Sequence, residues 1–313
     1  MSRRVPLAWR NLTADRRRLL ASVTGVGLAV MLILLLDGMW TGIKDQTRLY
    51  TDKAGADLYV LQDGMRELHD GGAVPLSAVD QIRATPGVEW AEPVRGTHVI
   101  LELHRTKVAP YLVGTAPGDH GGVWSLRDGR DVRADDEIVV DGVLADRHGI
   151  EVGDRIDVMG ASLRVVGLSA DTAGFMTSYV FVTRGATDTL FAAPGTTSYV
   201  LVGTSEPRAV WSRLTGAGFN TLTADEVAAN AEEVASGIFS GPLRLMVIVA
   251  FAAGTLIIAL TAYTAIIERR REYGIIKALG AGRTRLVAIA VGQTLALALL
   301  GLLVGGLLFL GAR

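Results

Sequence analysis

A membrane protein with three transmembrane α-helices, carrying a mixed α+β extracytoplasmic domain between helices 1 and 2, is the fold class this sequence predicts. Three observations predict it. Apolar residues make up 50% of the 313 and collect into blocks, three of them long enough to cross a bilayer. A long polar region with short β-branched runs separates the first block from the second. Two short basic segments, 1–18 and 268–285, are separated by two crossings, so both can face the cytoplasm. The mean hydropathy of +0.35 belongs to those blocks, which argues against a soluble enzyme or a disordered chain. Blocks of this length also argue against a membrane barrel, whose strands are short and alternating.

The elements follow in order. Residues 1–18 hold six Arg and one acidic residue. On a helix, Val5, Ala8, Trp9 and Leu12 share one face and Arg3 and Arg10 the other. That pattern fits a basic amphipathic segment lying on membrane lipid at the anionic inner leaflet, or only a positive anchor for the first helix. Leu19–Leu36 is continuously apolar, and extension to Trp40 gives transmembrane helix 1 (19–40) with an indole at the far interface. The run is too long for a signal-peptide core, and Leu-Leu-Leu-Asp-Gly-Met-Trp fits cleavage badly, so an uncleaved helix is expected.

Residues 41–224 are expected to form the extracytoplasmic core domain. Segments 57–61, 99–103, 137–141, 155–159, 163–167, 179–183 and 198–202 read as strands. Ser77–Thr85, Val143–His148 and Glu206–Thr215 read as short helices, with Gly149 and Gly216 placed as caps. Residues 225–241 read as a stalk helix with Val227, Val234 and Ile238 near one face. Pro242 fits a first helical turn, so transmembrane helix 2 is placed at 242–267 and helix 3 at 286–310. Residues 37–267 carry 18 basic and 29 acidic side chains, which agrees with an outside location without deciding it. Asp37 and Arg244 fall at similar depth, either paired or separately solvated.

Catalytic and cofactor chemistry finds little support. No cysteine is present, so disulfides, thiolate nucleophiles and Cys-bound zinc are excluded. None of Lys44, Lys53, Lys107 and Lys277 completes GxxxxGK[ST], so no phosphate-binding loop is expected. His69, His98, His104, His120 and His148 form no HExxH, and no GxSxG occurs. No cofactor, metal, enzymatic activity or nucleic-acid partner is expected. Gln293, with Thr255 and Thr261, is the main polar exception within the apolar blocks, and Gln293 is read as a bond to a neighbouring helix.

The informative segment is the cytoplasmic loop 268–285, which begins Glu-Arg-Arg-Arg-Glu-Tyr-Gly-Ile-Ile-Lys-Ala-Leu-Gly. Arg269 to Arg271 anchor it at the inner face. Glu272 and Ile276 share a helical face, and Tyr273, Ile276 and Lys277 lie close together. Ile275, Ile276 and Leu279 put apolar side chains where the chain should be solvated, and Gly280 and Gly282 end the helix. Exposed apolar groups in so short a loop call for a partner's groove, or else for lipid.

This segment resembles the coupling-helix signature of the MacB/FtsX-like permease family of ABC transporters. Ala8-Trp9-Arg10-Asn11-Leu12 is similar to that family's opening motif. Ile82 to Val88, with Pro86-Gly87-Val88, resembles a passage of its external core domain. Leu144-Ala145, Gly149 to Asp154 and Val165-Val166-Gly167 resemble the later half of that domain. The resemblance implies a permease subunit bound to an ATP-binding cassette subunit through Glu268, Arg271, Glu272, Gly274, Ile275, Ile276, Lys277, Leu279 and Gly280. It implies a homodimer or heterodimer of permease chains, a periplasmic adaptor as a further partner, and a bacterial cytoplasmic membrane location with several spans. ATP-driven motion would be transmitted to the external domain for export or extraction of a substrate, or else to regulate an extracytoplasmic hydrolase. The family pattern also has a fourth membrane helix, whereas this chain stops at Arg313. Gly301, Gly305 and Gly306 form a small-residue face that such a helix would cover, or else helix 2 or a second copy.

Overall fold

The computed structural model describes residues 16–103, 106–174, 177–268, 270–278 and 283–311. In chain order the helices are α1 (Arg16–Thr47), α2 (Leu49–Lys53), α3 (Leu76–Arg83), α4 (Gly142–His148), α5 (Arg184–Phe191), α6 (Pro207–Gly216), α7 (Ala224–Glu268), α8 (Arg270–Ala278) and α9 (Arg283–Gly311). The strands are β1 (Leu58–Leu61), β2 (Val74–Pro75), β3 (Trp90–His98), β4 (Leu101–Leu103), β5 (Thr106–Val108), β6 (Tyr111–Thr115), β7 (Leu126–Gly129), β8 (Glu137–Asp141), β9 (Arg155–Val158), β10 (Ala161–Ser169), β11 (Ala173–Gly174), β12 (Thr177–Thr183), β13 (Thr196–Thr197), β14 (Tyr199–Gly203) and β15 (Asn220–Thr223). The chain divides into two units, one of residues 1–42 with 237–313 and one of residues 43–236.

The first unit is helical. Three helices are long and apolar enough to cross a membrane, over Leu19–Thr47, Ala224–Glu268 and Thr294–Gly311 among the described residues. In hydrocarbon the backbone must satisfy its own hydrogen bonds, and a helix does so within one segment. Close approach then depends on small residues, because lipid offers no hydrophobic gain for helix association. α1 uses this on two sides. Toward α7, Ser22 and Thr261 hydroxyls bond at 2.8 Å, and Ile257 fills the space over Gly25. Toward α9, Val26 lies over Gly301 and Val30 over Gly305. The small-residue face of α9 therefore packs on α1 at Gly301 and Gly305. Small residues on both helices, Gly27 on α1 included, allow that approach. A side chain added at Gly306 would meet nothing within 4 Å. Asp37 and Arg244 are both exposed, and no ion pair joins them. Each has water-facing freedom that a surface pair would have to restrict.

The second unit is a mixed α/β domain, as the strand and helix segments predict. Eleven strands run in the order β15-β1-β14-β3-β6-β12-β8-β10-β9-β4-β5, with β11 on β12, β7 on β10, and a separate β2–β13 pair. Most neighbours are antiparallel, while β8 with β10 and β6 with β12 are parallel. Several helices begin directly after the last residue of a strand. Asp141 ends β8 and caps α4 by accepting from Leu144 N at 3.0 Å; Thr183 ends β12 and caps α5 by accepting from Ala186 N at 3.1 Å.

Side-chain alternation divides these strands among three cores. Leu58, Val60, Val200 and Val202 point to a core closed by α3 and α6 through Ile82, Val210 and Leu214. Tyr59, Leu61, Tyr199 and Leu201 on the other face join an aromatic core with Tyr50, Tyr111, Tyr179 and Phe181. Val180, Val182, Ile138 and Val140 serve a third core with Leu144 and Ala186. Strands buried on both faces read as continuous apolar runs, which is why β1, β8, β12 and β14 stand out in the sequence.

Candidate functional site

The candidate site is the segment after α7. Glu268 is the last residue of α7 and is exposed. Arg270 to Ala278 form α8, nine residues between the two long helices. Arg271, Gly274, Ile275 and Ala278 are exposed, and Ile275 keeps 63% of its surface open. Their spacing of three, four and seven residues puts them on one helical face. That face offers a branched apolar side chain beside Gly274, with a guanidinium one turn before it. Such a face fits a protein groove with acidic groups at its rim. Glu272, Ile276 and Lys277 lie in α8, with side chains outside the described residues. Leu279 and Gly280 lie outside the described residues altogether, as does the amphipathic segment 1–15.

At its other end α7 is held by the mixed domain. Val227 joins the aromatic core and Ala228 is buried beside it. One turn later Arg66 Nη2 donates to Asn230 Oδ1 at 2.7 Å and to Glu233 Oε2 at 3.3 Å. Asn230 Nδ2 donates back to the Arg66 carbonyl at 3.0 Å. Lys44 pairs with Glu232, and Arg48 with Asp225 at 3.0 Å. The sequence carries no signal for Arg66. Asn230 in an otherwise Ala- and Glu-rich helix was the one residue whose type hinted at a specific contact.

Three titratable groups of the domain have defined surroundings. Glu137 is 3% exposed at the start of β8 and accepts from both nitrogens of Arg130, from Arg133 N at 2.9 Å and from Arg164 at 2.9 Å. The Arg130 guanidinium leads in holding its carboxyl down at about 2. His69 lies 4.5 Å from the Tyr111 ring and 6.0 Å from His98 between ring centroids. Burial, and then the nearby His98, hold its imidazole down at about 4. His120 stacks on Trp90 at 3.8 Å and its Nδ1 lies 3.3 Å from Glu92 Oε1. Among the described residues no three His, Asp or Glu side chains are grouped to hold a metal.

Comparison with known proteins follows this division of the chain. Residues 19–243 match the MacB-like periplasmic core domain, and residues 244–313 match the FtsX-like permease C-terminal domain. An uncharacterized ABC transporter permease of Mycobacterium tuberculosis is 27% identical over 95% of this chain and 83% of its own length. Another, of Methanocaldococcus jannaschii, is 23% identical over 96% of this chain and 81% of its own. Among solved structures, the periplasmic region of MacB from Actinobacillus actinomycetemcomitans aligns with a TM-score of 0.43 at 12% identity, covering 57% of this chain and 94% of that one. The extracellular domain of the transporter YknZ from Gram-positive bacteria aligns with a TM-score of 0.40 at 14% identity, covering 54% and 98%. With three membrane-length helices, a mixed α/β domain after the first, and matches to both parts of the pattern, the chain belongs to the MacB/FtsX-like family of ABC transporter permeases.

Proposed function

We propose that this chain couples ATP hydrolysis on a separate ATP-binding cassette subunit to movement of its extracytoplasmic domain, for export or extraction of a substrate. The observation that carries the reading is Ile275, 63% exposed on a nine-residue helix that follows α7. α7 is one helix of 45 residues, beginning beside the buried Val227 of the mixed domain and ending at Glu268. A push on α8 therefore has one continuous helix to travel along. Catalysis belongs to the partner, because this sequence lacks the Lys-bearing phosphate loop that ATP hydrolysis requires. The working assembly pairs this permease with a second permease chain, the same or related, in the bacterial cytoplasmic membrane, with three spans in this chain and a periplasmic adaptor as a further partner. Glu268, Arg271, Glu272, Gly274, Ile276, Lys277, Leu279 and Gly280 complete the docking segment around Ile275.

Replacing Ile275 with Asp tests this. Seating a carboxylate in an apolar groove is costly, so co-purification with the ATP-binding subunit and stimulation of its ATPase should both be lost. The mixed domain, a separate unit, should keep its fold by circular dichroism. Retained binding and stimulation would mean that Ile275 faces lipid and that the partner docks elsewhere.

A further inference from the structure

The proposed coupling needs α7 to keep a fixed direction relative to the sheet it drives, and the contacts at its start supply one. Val227, 2% exposed, anchors the helix in the aromatic core. Ala228 is buried beside it, and anchors this close together along the axis still leave a helix free to tilt. The second attachment lies one turn on, where Arg66 and Asn230 bond reciprocally, side chain to side chain at 2.7 Å and side chain to backbone at 3.0 Å, with Glu233 beside them. The loop that carries Arg66 is itself held from β15. Asn220 Nδ2 donates to the carbonyls of Gln62 and Met65, both at 2.8 Å. β15 pairs with β1 and runs directly into α7, so the loop after β1 is gripped from the strand and from the helix at once.

Stability does not account for this arrangement. Arg66 and Glu233 side chains are 67% and 71% exposed, where an ion pair adds little to the folded state. Reciprocal bonds of low energetic worth still fix direction, because they hold the helix at a second point along its axis. Lys44 and Arg48 also reach α7, but they tie it to the end of α1 and the residue after it, not to the sheet.

We infer that Arg66, Asn230 and Glu233 form a positioning clasp that holds the first turns of α7, residues 224–236, and the core sheet as one body. This rests on the reading of the chain as an ATP-driven transmitter. Without the clasp, these turns can tilt about Val227 and Ala228 as far as the Lys44–Glu232 and Arg48–Asp225 pairs allow.

The test uses spin labels at Val234 and Glu151 in the otherwise cysteine-free chain, in complex with the ATP-binding subunit, with and without ATP. Val234 lies about 10 Å beyond the Val227 anchor at 1.5 Å per residue, so a pivot of about 20° moves its label by about 4 Å. The wild-type distance should be narrow and the same in both nucleotide states. In the double variant Arg66→Ala, Asn230→Ala it should broaden or shift by that amount, with ATPase stimulation retained. The melting temperature should stay within about 3 °C, because the lost contacts are exposed. Arg66→Lys, which keeps a donor for Asn230, should restore most of the narrow distribution. An unchanged distribution in the double variant overturns the clasp. So does a fall in melting temperature above about 8 °C, which marks an ordinary structural role. If Ile275→Asp leaves stimulation intact, the functional reading fails instead, and the nucleotide-free distance still decides the clasp.

Discussion

Gly305 and Gly27 meet backbone to side-chain position: a Cβ on Gly305 would stand 2.6 Å from the carbonyl oxygen of Gly27 and 2.7 Å from Cβ of Val30. Neither neighbour is the far end of a flexible chain, so α1 and α9 would have to separate. Gly305→Val should lower the unfolding transition of the helical unit in detergent by about 1–3 kcal/mol, the usual cost of overpacking. Gly306→Val is the control, since a side chain there meets nothing within 4 Å. Equal transitions for the two variants would contradict the close crossing.

Glu137 should make the mixed domain acid-sensitive. Its carboxyl is held at about 2, against an ordinary 4.5, chiefly by Arg130. A carboxylate depressed in the folded state contributes stability that is complete above the unfolded value and lost as pH falls through the folded one. The loss therefore runs from about pH 4.5 down to 2. Glu137→Gln should cost about 1.5–3 kcal/mol at neutral pH, the worth of a hydrogen bond to a charged group. It should also flatten the dependence between those limits, which urea unfolding at a series of pH values measures. An unaltered acid slope in the variant would remove Glu137 as its source.

His69 acts in a higher window. Its imidazole is held at about 4, against 6.5, so the unfolded chain takes up the proton first. Stability is full above about pH 6.5, falls as pH drops from there to 4, and levels off below. The limit is about 3 kcal/mol, at 1.36 kcal/mol per pH unit. His69→Phe keeps a ring against Tyr111 and removes the proton site, so its melting temperature should change less than wild type between pH 7 and 5. Parallel curves for the two proteins would show that the protonation lies elsewhere.

Orientation can be read by labelling single cysteines in intact cells. Cysteine at Asp128 should react with an impermeant maleimide, and cysteine at Ala278 only after the membrane is opened. Both positions are exposed, so burial does not hide either. Equal reaction in intact cells would reverse the charge-based assignment.

The membrane-length helices and the strands buried on both faces were legible because each is a continuous apolar run. Of the segments read as strands, 137–141 and 179–183 carry such runs, while 155–159 alternates, with Ile156 and Val158 buried and Arg155 and Asp157 exposed. β3 was not legible, because Pro93, Arg95 and Gly96 interrupt it as a loop would. Each interruption has a tertiary reason. Arg95 is 8% exposed and donates to the Ala193 carbonyl at 2.9 Å and to Thr196 Oγ1 at 2.9 Å. Gly96 leaves room for the Tyr111 ring, which a Cβ would meet. β6 hides similarly, since Gly114 lies under Thr187 of α5. The segment after α7 drew notice for the opposite reason: Ile275 is apolar yet 63% exposed among the described residues. Arg66 gave no signal, because an exposed arginine in a loop is commonplace and its partner is 164 residues away.

Pro242 stands inside α7, and proline has no N–H. The carbonyl of Ile238 is thus without its helical donor, and one rung is missing from a rod whose other residues can all supply theirs. A beam yields where its section is thinnest. At this turn bending costs one hydrogen bond less than elsewhere along the helix. Replacing Pro242 with Ala restores the missing donor and should make this turn of α7 as stiff as its neighbours.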